Sequence, residues 1–323
     1  MKKILFINLL GIIVLFLALE MVLRFVFSYN VQGVSDNLIN TKLDFRFNNP
    51  KLVNGKAFGE TIYTDKNGFR IDSTKNSKKI DFNERQNILF VGGSVTFGAG
   101  IKAENTFVEK LNLNSKYNVK NASVFGSNLE NNLKIIKKFY KKNETKKIFI
   151  NFSLDDITSD MVDFDIESQH SVIHKIKINS IISKIKNFLR SRSVIFTFAK
   201  GIILDPQLNF YLYDLNLYNN KELLMRQKIT LQKLKKLIND KNIIYFYSLP
   251  YAAQVRKENC FKKDIGEIII EKNLKANNFN YISFKKDFCL NKKPKNLFLR
   301  NDPAHLSKEG HNFTFNLLKE YID

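Results

Sequence analysis

Short apolar segments alternate with helical patterns from residue 87 to the end of this chain, and that alternation restricts the possible folds. The strand candidates are Ile88–Val91, Tyr117–Ala122, Ile148–Phe152, Ile243–Tyr247 and Tyr281–Phe284. The helix candidates are Glu104–Leu111, a segment after the capping-box signature Ser127–Glu130, Glu222–Ile238, Asp264–Leu274 and Ser307–Tyr321. Strands that alternate with helices form parallel sheets covered on both faces, with right-handed crossovers. Residues 87–323 are therefore predicted to form an α/β, three-layer, flavodoxin-like sandwich with a parallel sheet.

The first of these strands leads directly into the sequence Gly-Gly-Ser, which ends at Ser94. The glycines allow a sharp turn, so that the serine stands at the carboxyl end of a parallel strand, where ligands bind in such sheets. Ser94 is therefore a candidate nucleophile. Strand-Gly-Gly-Ser turns also occur in α/β domains without any chemistry, so this segment alone does not decide the function.

Residues 1–30 have the composition of a membrane anchor. Lys2 and Lys3 precede a largely apolar span from Ile4 to Phe27 whose only charged residues are Glu20 and Arg24. About 20 apolar residues suffice to cross a bilayer, and the lysines favour a cytoplasmic N-terminus. The prediction is a single-pass helix in the cytoplasmic membrane, with the remaining chain on the outer, periplasmic or extracellular side. A cleaved signal peptide is the alternative, although no A-x-A-like site follows the apolar span.

The formal net charge is +21, yet a nucleic-acid partner is not expected. The lysines are spread along the whole chain, without a recognition motif or a discrete arginine-rich patch. The spread of lysines is more typical of a compositional bias, and attraction to an anionic envelope surface or a polyanionic glycan is the more plausible hypothesis for a partner.

Cysteine and histidine usage limits the sites that this chain could build. Cys260 and Cys289 are its two cysteines, and export would allow them to form a disulfide, the alternative being two unrelated buried thiols. His170 and His174 stand four residues apart, but no third ligand lies at a recognisable spacing. We therefore predict no metal site and no cofactor.

Two segments fall outside the regular alternation. Residues 31–86 are interpreted as a stalk and entry subdomain, in which Asn67-Gly68 between two β-prone segments predicts a hairpin. Residues 161–220 are interpreted as an insertion. Its apolar stripe, which includes Ile178, Ile182 and Phe188, is typical of a core-facing helix; a lid or a membrane-surface helix is the alternative.

A second chemical motif, Asp302-Pro-Ala-His305, precedes the final helix. An aspartate three residues before a histidine can hold its Nδ1, which leaves Nε2 free to face a nucleophile. Ser307 is positioned to cap the helix, and Gly310 to let it pack closely.

These motifs together resemble the SGNH (GDSL-type) hydrolase superfamily, in particular its membrane-anchored bacterial members. The resemblance covers roughly residues 87–323 and is weakest over 161–220. Gly92-Gly93-Ser94 matches the first family block, with Gly93 where aspartate is commonest, and Asn121–Gly126 matches the second. Asp302–His311 matches the last block nearly letter for letter.

The resemblance implies a Ser94–His305–Asp302 triad, with the backbone N–H groups of Ser94 and Gly126 in the oxyanion hole. The third oxyanion donor of the family is an asparagine, and this chain has Asp155 at that position. An ionised carboxylate cannot donate a hydrogen bond. Either Asp155 is protonated, or Asn128 or Asn151 substitutes, or the enzyme is slow, or the correspondence is shifted by a residue or two.

The expected function is that of a membrane-anchored serine esterase, which hydrolyses or transfers acyl groups on envelope carbohydrate. Its expected partners are an acylated carbohydrate or another envelope ester, and the membrane itself. The alternative is a catalytically degenerate domain that binds glycan or scaffolds an envelope assembly, which Gly93 and Asp155 would suit.

Overall fold

The computed structural model describes residues 2–27, 29–34, 55–65, 67–72, 86–158, 185, 188–238, 240 and 243–322. Within these ranges, eight strands join in one sheet of order β1-β2-β3-β5-β4-β6-β7-β8. The strands are β1 (Gly55–Ala57), β2 (Glu60–Thr64), β3 (Arg70–Ile71), β4 (Asn87–Val91), β5 (Asn118–Asn121), β6 (Thr145–Asn151), β7 (Ile244–Ser248) and β8 (Asn280–Ser283).

The centre of the sheet is parallel. Strand β4 lies between β5 and β6, and β7 and β8 continue outward from β6, all in parallel pairing. Counted from β4, this is the 2-1-3-4-5 order of doubly wound sheets. The four apolar residues of β4 from Ile88 to Val91 are buried, as expected for a strand covered on both faces. The predicted α/β, three-layer, flavodoxin-like sandwich is confirmed.

The sheet also has an antiparallel edge that the alternation of elements does not predict. Strands β2 and β3 form the hairpin expected around Asn67-Gly68, with Tyr63 opposite Ile71. Arg70 of β3 then pairs antiparallel with Asn121 of β5. Part of the predicted entry subdomain therefore extends the main sheet.

Helices cover both faces of the sheet. They are α1 (Lys2–Phe25), α2 (Ser94–Phe97), α3 (Phe107–Asn114), α4 (Leu129–Phe139), α5 (Val194–Ile203), α6 (Pro206–Leu217), α7 (Lys221–Leu237), α8 (Ile265–Ala276), α9 (Lys285–Leu290) and α10 (Lys308–Leu318). Short 3₁₀ segments occur at Ala103–Asn105, Leu154–Ile157, Pro294–Leu297 and Lys319–Tyr321. Helix α3 packs against α10, and α4 packs against α7.

The start of α4 differs from the prediction. Asn128, rather than Ser127, is the N-cap residue, and its side chain accepts a hydrogen bond from the Asn131 N–H at 2.9 Å. The Ser127 hydroxyl instead donates to Asn132 Oδ1 at 2.6 Å. Asparagine caps helices as well as serine does, so the capping-box signature placed this helix start one residue too early.

Helix α1, with 24 residues, is long and apolar enough to cross a membrane. A signal sequence has the same properties. Near the end of α1, the Arg24 guanidinium contacts the Glu20 carboxylate, four residues earlier, at 2.6 Å.

The Glu20 carboxylate also reaches the start of α5. Its oxygens accept hydrogen bonds from the N–H groups of Val194 at 2.9 Å and Ile195 at 3.1 Å, and from the Ser193 hydroxyl at 3.0 Å. The first N–H groups of a helix have no partner within the helix, and a carboxylate there is favourable. Helix α1 is thereby joined to the folded domain.

Candidate active site

Ser94 is the first residue of α2 and follows β4 after two glycines. The turn places its side chain at the carboxyl end of the central strand. Ser94 Oγ lies 2.8 Å from His305 Nε2, a hydrogen-bond distance across 211 residues of sequence.

His305 lies in the loop before α10, and backbone pairing fixes that loop. Leu306 forms an antiparallel bridge with Phe298, and the Leu299 N–H donates to the His305 carbonyl at 2.8 Å. The imidazole packs against the Phe58 ring with 4.5 Å between centroids. Phe58 comes from the β1–β2 turn, so the antiparallel edge of the sheet supports the histidine.

Asp302 holds the other nitrogen of the imidazole. Its carboxylate oxygens lie 2.9 and 3.0 Å from His305 Nδ1, and Oδ1 also accepts from the N–H groups of Ala304 and His305. The side chain is buried, which by itself raises the pKa of this carboxyl; the charge of His305 and these hydrogen bonds outweigh burial and lower it. Asp302 is therefore held in its ionised form.

The start of α10 fits the sequence analysis. The Ser307 side chain caps the helix by accepting from the Gly310 N–H at 3.1 Å. A Cβ on Gly310 would lie 2.0 Å from the Leu297 carbonyl oxygen, so only glycine allows this close approach. The capped helix and its close packing fix the end of the loop that carries His305.

The three side chains open into a cavity of about 190 Å³. Its apolar wall includes Val34, Phe58, Val95, Phe125 and Phe210. Its polar lining includes Gln32, Ser127, Asn151, Ser153, Asp155, Arg190 and Lys200. Such a mixture of apolar wall and few polar groups is typical of a small-molecule site.

Gly126 lines the same cavity, in the loop after β5. Its φ of 62° lies in the left-handed region, which glycine adopts without strain. The contribution of its N–H group to an oxyanion hole stays a prediction.

Asp155 lines the cavity from the 3₁₀ segment after β6. Its Oδ1 lies 3.0 Å from the Tyr251 hydroxyl, which also lies 2.8 Å from Asp214 Oδ2. Burial is the largest effect on this carboxyl and raises its pKa, against smaller opposing effects of the Tyr251 hydrogen bond and the charge of His305. The pKa of Asp214 is raised well above its usual range, first by burial and then by the charge of Asp155.

The two asparagines considered as substitutes for a third donor are engaged elsewhere. The Asn128 side chain caps α4. The Asn151 amide donates to the Tyr247 carbonyl at 3.4 Å, and its oxygen accepts from the Ser153 hydroxyl at 2.9 Å. Asn151 and Asp155 both line the cavity, whereas Asn128 does not.

Sequence reasoning missed three residues of this region. Tyr251 follows the end of β7 and could have been found from that position, because the carboxyl ends of parallel strands share one edge. Asp214 is buried on α6, in the insertion, and no pattern indicated it. Arg70 is buried beneath α2, where its guanidinium donates to the carbonyls of Phe97, Gly98 and Ile101.

The two cysteines and the pair of His170 and His174 considered in the sequence lie away from this cavity or outside the described residues. Cys260 and Cys289 form a disulfide, which confirms the predicted pair. His170 and His174 lie outside the described residues. Among the residues that the structure describes, no group of three or more acidic, histidine or cysteine side chains could hold a metal ion.

The chain matches no protein-family model and no curated protein sequence. It is similar to solved structures of lipolytic proteins. These include a lipase/acylhydrolase from Enterococcus faecalis, at 12% identity and a TM-score of 0.40, covering 74% of this chain and 97% of that one. The acetyl xylan esterase AlAXEase is 16% identical with a TM-score of 0.41, covering 73% of this chain and 100% of that one.

A G-D-S-L family lipolytic protein from Veillonella parvula is 13% identical with a TM-score of 0.41, covering 73% of this chain and 97% of that one. Similarities this distant do not transfer function.

Proposed function

We propose that this chain is a membrane-anchored serine esterase of the SGNH type, which hydrolyses or transfers an acyl group on envelope carbohydrate. The observation that carries the proposal is the continuous hydrogen-bonded series from Ser94 Oγ through the His305 ring to the ionised Asp302. A serine activated by an oriented imidazole is the arrangement that acyl transfer requires.

The reaction follows from the contacts. Ser94 Oγ attacks the ester carbonyl while His305 Nε2 accepts the hydroxyl proton, and Asp302 stabilises the resulting imidazolium. His305 then returns that proton to the departing alkoxide, which leaves an acyl group on Ser94. Water or a sugar hydroxyl next gives its proton to His305 and attacks the acyl carbon. His305 returns that proton to Ser94 Oγ as the acyl–oxygen bond to Ser94 breaks, which releases the acid or the new ester.

The cavity favours a small acyl group. Its volume of about 190 Å³ is below the roughly 300–1,000 Å³ of pockets that enclose drug-sized ligands. Aromatic side chains close to Ser94, Phe58 and Phe125 among them, would exclude water from a short apolar substituent. An acetyl or similarly short ester is the substrate that this volume suits.

The contacts of Glu20 support a retained membrane helix. Cleavage after α1 would remove the carboxylate that accepts from the N–H groups of Val194 and Ile195. Losing a cap of this kind typically costs about 1 kcal/mol. A cleaved signal sequence has no need of such contacts, so we assign α1 as an anchor with the catalytic domain outside.

Fluorophosphonate labelling of the full-length protein in detergent micelles tests the nucleophile. The unaltered protein should be labelled, and Ser94→Ala should not. Ser127→Ala is the matched control, because Ser127 lines the same cavity but donates to Asn132. Labelling of Ser94→Ala equal to that of the unaltered protein would refute the assignment.

Retention of α1 as a membrane anchor is tested separately. The N-terminal sequence of protein purified from membranes should begin at or next to Met1, and alkaline carbonate should not extract the protein. A mature N-terminus beyond residue 27 would contradict a retained anchor.

A non-catalytic glycan-binding role is the second candidate, because a carboxyl group at Asp155 would oppose an oxyanion if it stayed ionised. Undiminished biological activity of a Ser94→Ala, His305→Ala double variant would favour that role over catalysis.

A further inference from the structure

The hydroxyl of Tyr251 lies between the carboxyl groups of Asp214, which is buried, and Asp155, which is half-buried. Its oxygen is 2.8 Å from Asp214 Oδ2 and 3.0 Å from Asp155 Oδ1, and it also accepts from the Asp155 N–H at 3.3 Å. Tyr251 and Asp214 are only 2% and 1% exposed, so the hydroxyl cannot exchange these partners for bulk water.

Counting protons limits the charge of these three groups. A phenol has one proton to donate, and an ionised carboxylate has none. If both aspartates were ionised, one carboxylate oxygen would face a lone pair of the Tyr251 oxygen at hydrogen-bond distance, with no proton between them. A buried repulsive contact of this kind is costly. The three groups therefore hold two protons, with a total charge of −1.

The second proton can occupy two positions. In one, Asp214 is protonated and donates to Tyr251, which donates to an ionised Asp155. In the other, Tyr251 donates to an ionised Asp214, and Asp155 is the protonated acid. The two states differ only by the shift of two protons along two existing hydrogen bonds. Of the three residues, Asp155 and Tyr251 line the cavity together with Ser94, Gly126 and His305, and Asp214 does not.

We propose that Asp155 becomes the protonated acid when negative charge develops on the substrate oxygen, and that its O–H then turns away from the Tyr251 oxygen to donate a hydrogen bond to that oxyanion. Tyr251 and Asp214 act as positioning residues: Tyr251 passes its proton to Asp155 and takes the proton of Asp214, where the negative charge comes to rest. No proton is gained or lost by the three groups. This inference rests on the proposed esterase function.

Other charged groups around the three favour a shared proton. Asp156 is buried next to Asp155, and burial followed by the charge of Asp155 raises its pKa well above the usual range. Tyr218 is buried among the same carboxyls, and its pKa is raised by burial and by their charges. His305 is the cationic neighbour that favours ionisation of Asp155. Each additional negative charge in this region is therefore opposed by burial and by like charges.

Substituting Asp214 and Asp155 singly and together tests the inference in the full-length protein with a short-chain aryl ester. Asp214→Asn cannot take up negative charge, and its amide would hold the Tyr251 proton toward an ionised Asp155. We expect kcat to fall by roughly 100- to 1,000-fold, the usual loss of one oxyanion donor.

Asp155→Asn supplies an amide N–H that needs no shared proton. It should keep kcat within about tenfold of the unaltered protein, and adding Asp214→Asn to it should cost nothing further. Tyr251→Phe should behave like Asp214→Asn in both backgrounds. Tyr211→Phe is the control, because Tyr211 donates to Asp264 at 2.9 Å outside the cavity.

The outcomes separate this inference from the proposed function. Asp214→Asn is compared in the unaltered protein and in Asp155→Asn. If it lowers kcat equally in both, or lowers kcat in neither, the inference is overturned, while Ser94-dependent labelling still supports the proposed function. Labelling that does not depend on Ser94 would instead overturn the proposed function.

Infrared spectroscopy gives a readout that does not depend on variant activity. The unaltered protein should keep a carboxylic-acid C=O band at neutral pH that loses intensity in the Asp155→Asn, Asp214→Asn double variant. An unchanged band would overturn the shared proton even if a single variant failed to fold.

Discussion

Asp302 and Asp155 both line the cavity, and their surroundings shift their pKa values in opposite directions. Asp302 accepts hydrogen bonds from two backbone N–H groups and contacts the imidazole of His305, and its pKa is lowered despite burial. Asp155 contacts a tyrosine that is shared with a second acid, and its pKa is raised.

The difference shows that burial alone does not set the charge of an acid. N–H donors and a potential cation stabilise the carboxylate, whereas one hydroxyl shared between two acids cannot satisfy both in ionised form. Asp302 can therefore serve as a fixed negative charge, and Asp155 as a group that accepts a proton.

Removing the fixed charge should have the largest effect. Asp302→Asn keeps the shape of the side chain but cannot hold the protonated Nδ1 in the same way, so kcat should fall by about 10⁴-fold, as for other triads. The measurement is the rate of aryl acetate hydrolysis by the full-length protein.

Asp287→Asn is the control for this prediction, because Asp287 lies in the first turn of α9 and does not line the cavity. If Asp302→Asn lowered kcat by less than tenfold, the negative charge of Asp302 would not be important for catalysis, and the contrast with Asp155 would not hold.

Burial should also have a measurable effect on the stability contributed by a basic group, the imidazole of His311. His311 is fully buried, accepts from the Phe107 N–H at 3.2 Å, and has its pKa lowered to about 3 by burial and then by neighbouring positive charges. The unfolded chain binds a proton near pH 6.5 and the folded one does not, so stability falls as the pH drops. Between pH 8 and pH 5, the free energy of unfolding should decrease by about 2 kcal/mol on this account.

His311→Gln should remove this part of the pH dependence. The measurement is the difference in denaturant unfolding between that variant and the unaltered protein at the two pH values. An identical pH dependence in both proteins would show that burial does not keep His311 neutral.

The smallest expected effect is a stability change of opposite sign at the two acids. Because the pKa of Asp155 is raised in the folded protein, this residue lowers the free energy of unfolding as the pH rises from the ordinary carboxyl pKa to the raised one. An asparagine does not titrate and has no such effect. Asp155→Asn should therefore raise the free energy of unfolding at pH 8 relative to pH 5 by about 1 kcal/mol, a typical single-site effect. Asp302→Asn should lower the free energy of unfolding at both pH 5 and pH 8, because the stability from its lowered pKa is fully present above about pH 4 and is lost only at lower pH.

Thermal and denaturant unfolding of the two variants at both pH values is the measurement. If both variants changed the free energy of unfolding at pH 8 in the same direction, the two acids would not differ in the way proposed.

The parallel core and the Asp302–His305 motif could be predicted because local signals specify them. Buried parallel strands such as Ile88–Val91 are continuous apolar segments, and an aspartate three residues before a histidine can reach its ring. The contact of Ser94 with His305 follows from the fold, because the first strand and the last loop meet at the same edge of the sheet.

The surroundings of Asp155 could not be predicted, because they depend on side chains far apart in the sequence. Asp214 reaches Tyr251 from α6, 37 residues away, and no periodicity indicates that pairing. The antiparallel edge was missed for a similar reason. Arg70 of β3 pairs with Asn121 of β5, and the sequences of these two short strands do not indicate that they are neighbours in the sheet.

The contact between Glu20 and α5 changes where the soluble part of this protein begins. A fragment that starts after the membrane helix, near Tyr29, would leave the first N–H groups of α5 without the carboxylate that now binds them. The same helix carries Lys200, which lines the cavity, so a loosened start of α5 would also disturb the cavity wall. A water-soluble form of this protein therefore needs a replacement acceptor for α5, and the simplest is to retain the last turns of α1 with their outward-facing apolar residues made polar.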